Sequence, residues 1–129
     1  MKFHHIGIAT KDLNKSISIY RKMGYVPSEL IYDPNQKVNL CFLKKTNSPL
    51  IELVGSNEKQ SILANIVKKN GTTPYHTCYE VNNLQKKIDS LLNLGFIMLV
   101  KPVEAIAFDN RKISFLYSIN FGIIELLEC

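Results

Sequence analysis

Two histidines and two glutamates recur at matching places in the chain, and all four are of types that bind divalent metals. His5 and His76 each open an apolar-rich run, and Glu52 and Glu125 each lie in an Ile-Glu-Leu motif. The histidines are 76 − 5 = 71 residues apart and the glutamates 125 − 52 = 73 residues apart. Imidazole and carboxylate donors together suit a first-row divalent ion and leave positions open for water or substrate. The four residues therefore predict one working metal site.

These residues belong to a tandem duplication. A leucine, an isoleucine and a glycine follow each histidine at the same three distances, as Leu13, Ile17 and Gly24 and again as Leu84, Ile88 and Gly95. The pattern predicts repeat 1 at about residues 1–56, a connector helix at about 57–71 and repeat 2 at about 72–129. A chain of 129 residues is the size of a single domain.

Strand alternation indicates how the four residues are placed. Ile6 and Ile8 alternate with His5, so this histidine is expected on the face opposite the apolar side, and His4 on the Ile6 side. Glu52 lies between two apolar residues in the same way. In repeat 2 the residues expected on the site face are His76, Cys78, Glu80, Ser114 and Glu125. Two βαβββ units must combine their sheets, because each alone leaves a polar face bare.

The helices that support these strands have recognisable starts. Asp12 and Asn83 are expected N-caps, with Gly24 ending the first helix and Leu94 the second. Within the connector at about 57–71, the helical residues are predicted to be 61–69, with Ile62 and Ile66 on the buried side. A short strand is predicted at residues 97–100.

Composition excludes several other classes. The net charge of +5 comes from scattered lysine pairs without interleaved aromatics, which argues against nucleic-acid binding and favours an anionic small molecule. No apolar run reaches the roughly 18 residues of a membrane span, and no signal peptide is visible. Three cysteines without metal-type spacing indicate reduced thiols and a cytoplasmic protein.

Each site residue has a structural explanation when taken singly. A lone strand histidine is more often hydrogen-bonded than metal-bound, and a lone strand glutamate can protect a sheet edge. The joint recurrence of all four types in both repeats is what favours the metal site.

With these motifs the chain resembles the vicinal oxygen chelate superfamily, which includes glyoxalase I, methylmalonyl-CoA epimerase, extradiol dioxygenases and drug-resistance proteins. The segments that carry the resemblance are HHIGIATKDLNKSISIYRKMGY, PLIELV, PYHTCYEVNNL, DNRKISFL and GIIELLE. The resemblance implies an α+β fold in which tandem βαβββ modules form a cupped mixed sheet around a metal. It places the metal ligands on His5, Glu52, His76 and Glu125.

The resemblance also bears on the subfamily. The order His, Glu, His, Glu is similar to that of bacterial glyoxalase I. Epimerases usually carry glutamine where this chain has Glu52, and they have a free catalytic glutamate at a position that matches Asn39. These two departures count against an epimerase, although the segments around Arg111 and Glu125 are epimerase-like. Extradiol dioxygenases use only one glutamate, which argues against that activity.

We therefore expect a metal-dependent lyase or isomerase of glyoxalase I (lactoylglutathione lyase) type, active in methylglyoxal detoxification. One divalent ion, nickel or zinc ahead of cobalt, manganese or iron, would chelate an anionic thiol adduct or thioester and stabilise an enediolate. Glu125 is the expected base, with Glu52 as a second catalytic carboxylate, and Asn39 and Arg111 are expected to contact substrate. The alternatives are a methylmalonyl-CoA epimerase and a non-catalytic binding protein, and the chain could assemble as a homodimer.

Overall fold

A computed structural model describes residues 1–129 as a mixed α+β fold of nine strands and three α-helices. The elements in chain order are β1 (Lys2–Ala9), α1 (Leu13–Lys22), β2 (Val26–Pro27), β3 (Ile31–Asp33), β4 (Val38–Lys44), β5 (Ile51–Gly55), α2 (Ile62–Asn70), β6 (Thr73–Val81), α3 (Leu84–Asn93), β7 (Ile97–Ala105), a 3-10 turn (Ile106–Phe108), β8 (Arg111–Ser118) and β9 (Gly122–Glu128).

The chain divides into two compact units. The N-terminal unit comprises His5–Tyr75, and the C-terminal unit comprises Met1–His4 together with His76–Cys129. Each unit contains the order strand, helix and further strands that the repeat predicts, with α2 occurring only in the N-terminal unit.

In the N-terminal unit, β5 lies between β1, which runs parallel to it, and β4, which runs antiparallel. Asp12 caps α1, because its side chain accepts a hydrogen bond from the Lys15 amide. The apolar face of α1 then packs against the strands. The buried cluster on this side of the sheet consists of Ile8, Ile17, Cys41, Leu43, Ile51 and Leu53.

The C-terminal unit repeats this arrangement. β9 lies between β6, parallel to it, and β8, antiparallel to it, and β7 pairs with β8. The side chain of Asn83 caps α3 by accepting from the Lys86 amide, as predicted. The buried cluster beneath α3 consists of Val81, Leu84, Ile88, Leu91, Leu116, Ile124 and Leu126.

Two elements differ from the sequence expectation. In α2 the residue that faces the core is Leu63, whereas Ile62, predicted to be buried, is exposed. Strand β7 continues to Ala105, five residues beyond the predicted end. Its pairing with β8 shifts register between Val100 and Val103, so Pro102, which has no amide hydrogen, falls outside the regular ladder.

Cys41 and Cys78 are buried, Cys129 is exposed, and all three thiols are free. None of the three helices has the length and hydropathy that crossing a bilayer requires.

Candidate metal centre

The N-terminal unit brings His5 together with Glu52. His5 lies on β1 and is fully buried, and Glu52 lies on β5 with 5% of its surface exposed. The neighbours of Glu52 in sequence, Ile51 and Leu53, belong to the cluster beneath α1, so alternation turns the carboxylate to the opposite face. There the Nε2 atom of His5 lies 3.5 Å from the Oε1 atom of Glu52.

The aromatic ring of Phe42 packs against the imidazole of His5. Phe42 on β4 is the register partner of Glu52, and its ring meets the His5 ring edge to face with centroids 6.0 Å apart. Edge-to-face contact fixes the plane of the imidazole and keeps water from one side of it.

The C-terminal unit builds the same arrangement from the second copy. His76 on β6 and Glu125 on β9 are 4% and 2% exposed, and His76 Nε2 lies 2.9 Å from Glu125 Oε2. Phe115 on β8 is the register partner of Glu125, and its ring meets that of His76 edge to face at 5.2 Å. Each unit therefore carries a buried histidine and glutamate beside a phenylalanine, which is buried in the C-terminal unit and partly buried in the N-terminal unit.

The donor chemistry fits a divalent first-row metal. A buried carboxylate carries a desolvation cost that a nearby cation or strong hydrogen bonds must offset. His5 and Glu52 in one unit, and His76 and Glu125 in the other, are buried side chains of types that can hold a metal ion. Two imidazoles and two carboxylates, with no thiolate, are typical of a site whose ion takes part in chemistry rather than in folding.

Arg111 and Glu80 form an ion pair on the same face of the C-terminal unit as His76. The Nη1 of Arg111 donates to Glu80 Oε2 at 3.2 Å, and its Nε donates to the Phe108 carbonyl at 3.2 Å. The guanidinium lies 6.0 Å from the Phe108 ring centroid, and the ring of His4 meets the other edge of Phe108 at 5.5 Å. Strand alternation places Glu80 on the same face of β6 as His76.

Asn39, the other expected substrate contact, lies on the opposite face of its strand. It alternates with Phe42 and shares a side of β4 with Cys41 and Leu43, which are buried beneath α1. Its register partner on β5 is Gly55, on the same side as Leu53. The structure therefore places Asn39 away from the His5–Glu52 pair.

Ser114 also lies away from the face expected for it. Its register partner is Leu126, which belongs to the cluster beneath α3. The hydroxyl is buried there because it donates to the Val100 carbonyl at 2.7 Å, which satisfies its polarity locally. The residue that faces His76 from this strand is Phe115, one position along.

Sequence reasoning missed the two phenylalanines as parts of the site. Their signal was present, because Phe-Leu recurs nine residues before each Ile-Glu-Leu motif. Their register opposite the two glutamates became visible only once the strands were paired.

Comparison with known families places this arrangement in a class. The profile of the Glyoxalase/Bleomycin resistance protein/Dioxygenase superfamily matches residues 4–115, so the chain belongs to that superfamily. This confirms the family and the α+β fold expected from the sequence.

Several individual proteins similar to this chain are methylmalonyl-CoA epimerases. Over 98% of its length the chain is 28% identical to the mitochondrial methylmalonyl-CoA epimerase of Dictyostelium discoideum, covering 78% of that protein. It is 26% identical to the human mitochondrial methylmalonyl-CoA epimerase, covering 97% of this chain and 72% of the relative. A crystal structure of the Mycobacterium tuberculosis epimerase aligns with a TM-score of 0.83 at 23% identity, covering 98% of this chain and 87% of that one. These relatives carry the name of the alternative activity and not that of a glyoxalase.

Proposed function

We propose that this protein is a metal-dependent isomerase that moves the α-proton of a methylmalonyl-CoA-type thioester. The observation that carries the proposal is the repeated buried pair, because each copy supplies one histidine and one carboxylate at equivalent positions. The names of the two relatives favour this activity over the glyoxalase I reaction that the sequence first suggested.

In this proposal His5, Glu52, His76 and Glu125 hold one divalent ion. The ion, when bound, supplies Lewis acidity to the substrate oxygens and so lowers the pKa of the adjacent C–H. Phe42 and Phe115 limit the planes that the two histidine rings can adopt.

Glu125 is the residue that we assign as the principal base. Its carboxylate is 2% exposed. Because little water surrounds it, its electrostatic attraction for the proton being transferred is weakly screened. Inversion at the α-carbon also needs a second group that returns a proton on the other face of the carbon. Glu52 is the equivalent carboxylate of the other copy, and it supplies that group.

Asn39 no longer argues against an epimerase activity. The sequence comparison required a free acid or base at that position, and an asparagine cannot serve as one. Because Asn39 lies on the α1 side of β4, its chemistry does not bear on a proton transfer beside Glu52.

Arg111 is assigned to the anionic part of the substrate. Its guanidinium is pre-oriented by the Phe108 carbonyl and by Glu80, and its side chain is 36% exposed, so it remains accessible to a ligand. A planar guanidinium with several donors suits a carboxylate better than a lysine would.

Deuterium exchange at the substrate α-carbon tests the proposal. Protein loaded separately with cobalt, nickel, zinc or manganese is incubated with methylmalonyl-CoA in D2O, and exchange is followed by NMR. We expect exchange well above the buffer rate with at least one metal, and none after chelation. A protein that holds one equivalent of each metal and catalyses no exchange would instead be a non-catalytic binding protein.

A glyoxalase-type reaction remains the second candidate, and Glu52 is the observation that favours it. A second carboxylate in the ligand set matches the glyoxalase I pattern better than the glutamine usual in epimerases. The same metal-loaded samples are therefore assayed with a methylglyoxal hemithioacetal. We expect slower turnover of this adduct than of methylmalonyl-CoA, and the reverse order would move the assignment to the glyoxalase reaction.

A further inference from the structure

A cleft of about 760 Å³ opens in the C-terminal unit at the end of β6, apart from the His76–Glu125 pair. Its polar lining is formed by Lys2, Asn82, Asn83, Lys86, Lys87 and Ser90, and we call it the lysine cleft. A volume of this size falls within the range of about 300–1,000 Å³ typical of small-molecule sites.

The charge of the lysine cleft suits a polyanion. Its lining contains three lysines and one acidic side chain, Glu80, which already pairs with Arg111 at 3.2 Å. Amide and hydroxyl groups of the two asparagines and the serine add neutral hydrogen-bonding partners around the lysines.

The start of the helix that follows the first strand is less positive in the N-terminal unit than in the C-terminal unit. The residues that precede Asn83 and Lys87 by the same 71 positions as the histidines are Asp12 and Ser16. The carboxylate of Asp12 lies 4.0 Å from Lys15, the equivalent of Lys86, so the capping residue offsets that lysine. In the second copy the cap is a neutral asparagine, which performs the same capping without reducing the positive charge.

The connector helix α2 lies beside the groove of the N-terminal unit and has no counterpart beside the lysine cleft. In the N-terminal unit the corresponding groove is lined by Leu63, Ala64 and Val67 of α2 and by Lys11, Glu58, Lys59 and Lys68, and the Thr72 hydroxyl accepts a hydrogen bond from the Lys11 amide at 3.2 Å. Both grooves are therefore positive, but the lysines of the second copy come from β1 and α3, without a connector helix beside them.

The cleft lies at a suitable distance for a carrier group. Glu80 follows His76 by four residues on β6, which corresponds to about 13 Å at the usual rise per residue of a strand. A CoA thioester carries its phosphates at the far end of a long flexible arm from its reactive acyl group. We propose that the lysine cleft binds the phosphate groups of the CoA carrier, an inference that rests on the proposed function.

The test compares two substrates that differ only in the carrier. Wild type and the double variant Lys86→Ala/Lys87→Ala are assayed for α-proton exchange with methylmalonyl-CoA and with methylmalonyl-pantetheine, which lacks the nucleotide phosphates. In the variant we expect KM for the CoA ester to rise about tenfold, the scale of two lost exposed charge contacts, with kcat within about twofold. KM for the pantetheine ester should not change.

The matched control is Lys68→Ala/Lys69→Ala, which removes two lysines from the last turn of α2 in the other unit. It should leave both KM values at the wild-type level. An equal rise of KM in both double variants would show that net charge alone steers the substrate, and it would overturn the proposal. An equal rise for both esters in the Lys86/Lys87 variant would do the same.

Direct binding separates this inference from the proposed function. Free CoA is titrated calorimetrically into the metal-loaded proteins, and we expect binding that the Lys86/Lys87 variant weakens about tenfold and the control retains. That result would support the cleft even if no proton exchange were found with any thioester. Wild-type protein that exchanges the proton but binds CoA no better than the Lys86/Lys87 variant would refute the cleft and leave the proposed function standing.

Discussion

The two copies agree around the candidate metal ligands and differ elsewhere. His5, Phe42 and Glu52 have counterparts in His76, Phe115 and Glu125 in residue type and register, and the histidines and glutamates are buried in both copies. The ion pair of Glu80 and Arg111 has none, because Ala9 and Val38 stand at the corresponding positions. A roughly spherical ion can be bound by two similar halves, whereas a substrate with different ends needs unlike surroundings. The agreement of the four candidate ligands therefore fits the proposed ion, and the unmatched ion pair fits the proposed substrate.

The largest expected effect is a fall in kcat when the two equivalent glutamates are substituted one at a time. Glu125→Gln keeps an oxygen that can coordinate weakly but removes the proton acceptor, so kcat for α-proton exchange should fall by about 10²–10⁴-fold. Glu52→Gln should be milder in this assay, because removal and return of the proton by Glu125 alone already exchanges it for deuterium, whereas inversion also needs Glu52. Both are measured by deuterium exchange at equal metal loading. If Glu52→Gln were the more damaging and Glu125→Gln stayed near wild type, the roles of the two copies would be reversed.

The histidines, in contrast, should behave alike. His5→Ala and His76→Ala each remove one donor, and each should weaken metal affinity by at least the roughly 10–100-fold that loss of an outer contact to a ligand costs. Metal content after dialysis provides the measurement, with circular dichroism of the apoproteins as the control for folding, since bound metal itself stabilises the holoprotein. Retention of a full equivalent by either variant would remove that copy from the metal site.

Core packing should be unequal between the units. Ile17 and Ile88 are equivalent, but Ile17 is 9% exposed and Ile88 fully buried. Substitution of Ile88 by alanine should lower the free energy of unfolding by about 2–5 kcal/mol, and Ile17→Ala should fall at or below the lower end of this range. Urea unfolding of the apoproteins gives both values. Equal losses would mean that α1 and α3 contribute equally to the two cores.

The smallest effect is expected from substitution of Arg111, and it concerns KM. Arg111→Ala should raise KM for methylmalonyl-CoA about tenfold, with unfolding free energy changed by no more than about 1 kcal/mol, because the pair with Glu80 is partly exposed. Val38→Ala, at the equivalent position of the first copy, is the matched control and should leave KM unchanged. An unchanged KM in Arg111→Ala would leave the guanidinium with a structural role only.

The sequence alone determined the features that depend on short-range periodicity. Recurrence of residue types located both copies and all four candidate ligands, and the caps Asp12 and Asn83 were correctly predicted because an N-cap acts on an amide three residues away. Alternation correctly turned Glu52 and Glu125 away from the apolar side, since each lies between two residues of a buried cluster.

Features that depend on partners distant in sequence were decided only by the tertiary structure. Asn39 was assigned to the site by family resemblance and Ser114 by strand alternation, but register with Gly55 and Leu126 places both on the helix side, where the serine hydroxyl donates to a carbonyl. The contacts of Phe42 with His5 and of Arg111 with Glu80 join residues on different strands, which no local pattern specifies. Strand pairing sets these contacts, because a shift of one residue would turn every side chain to the opposite face.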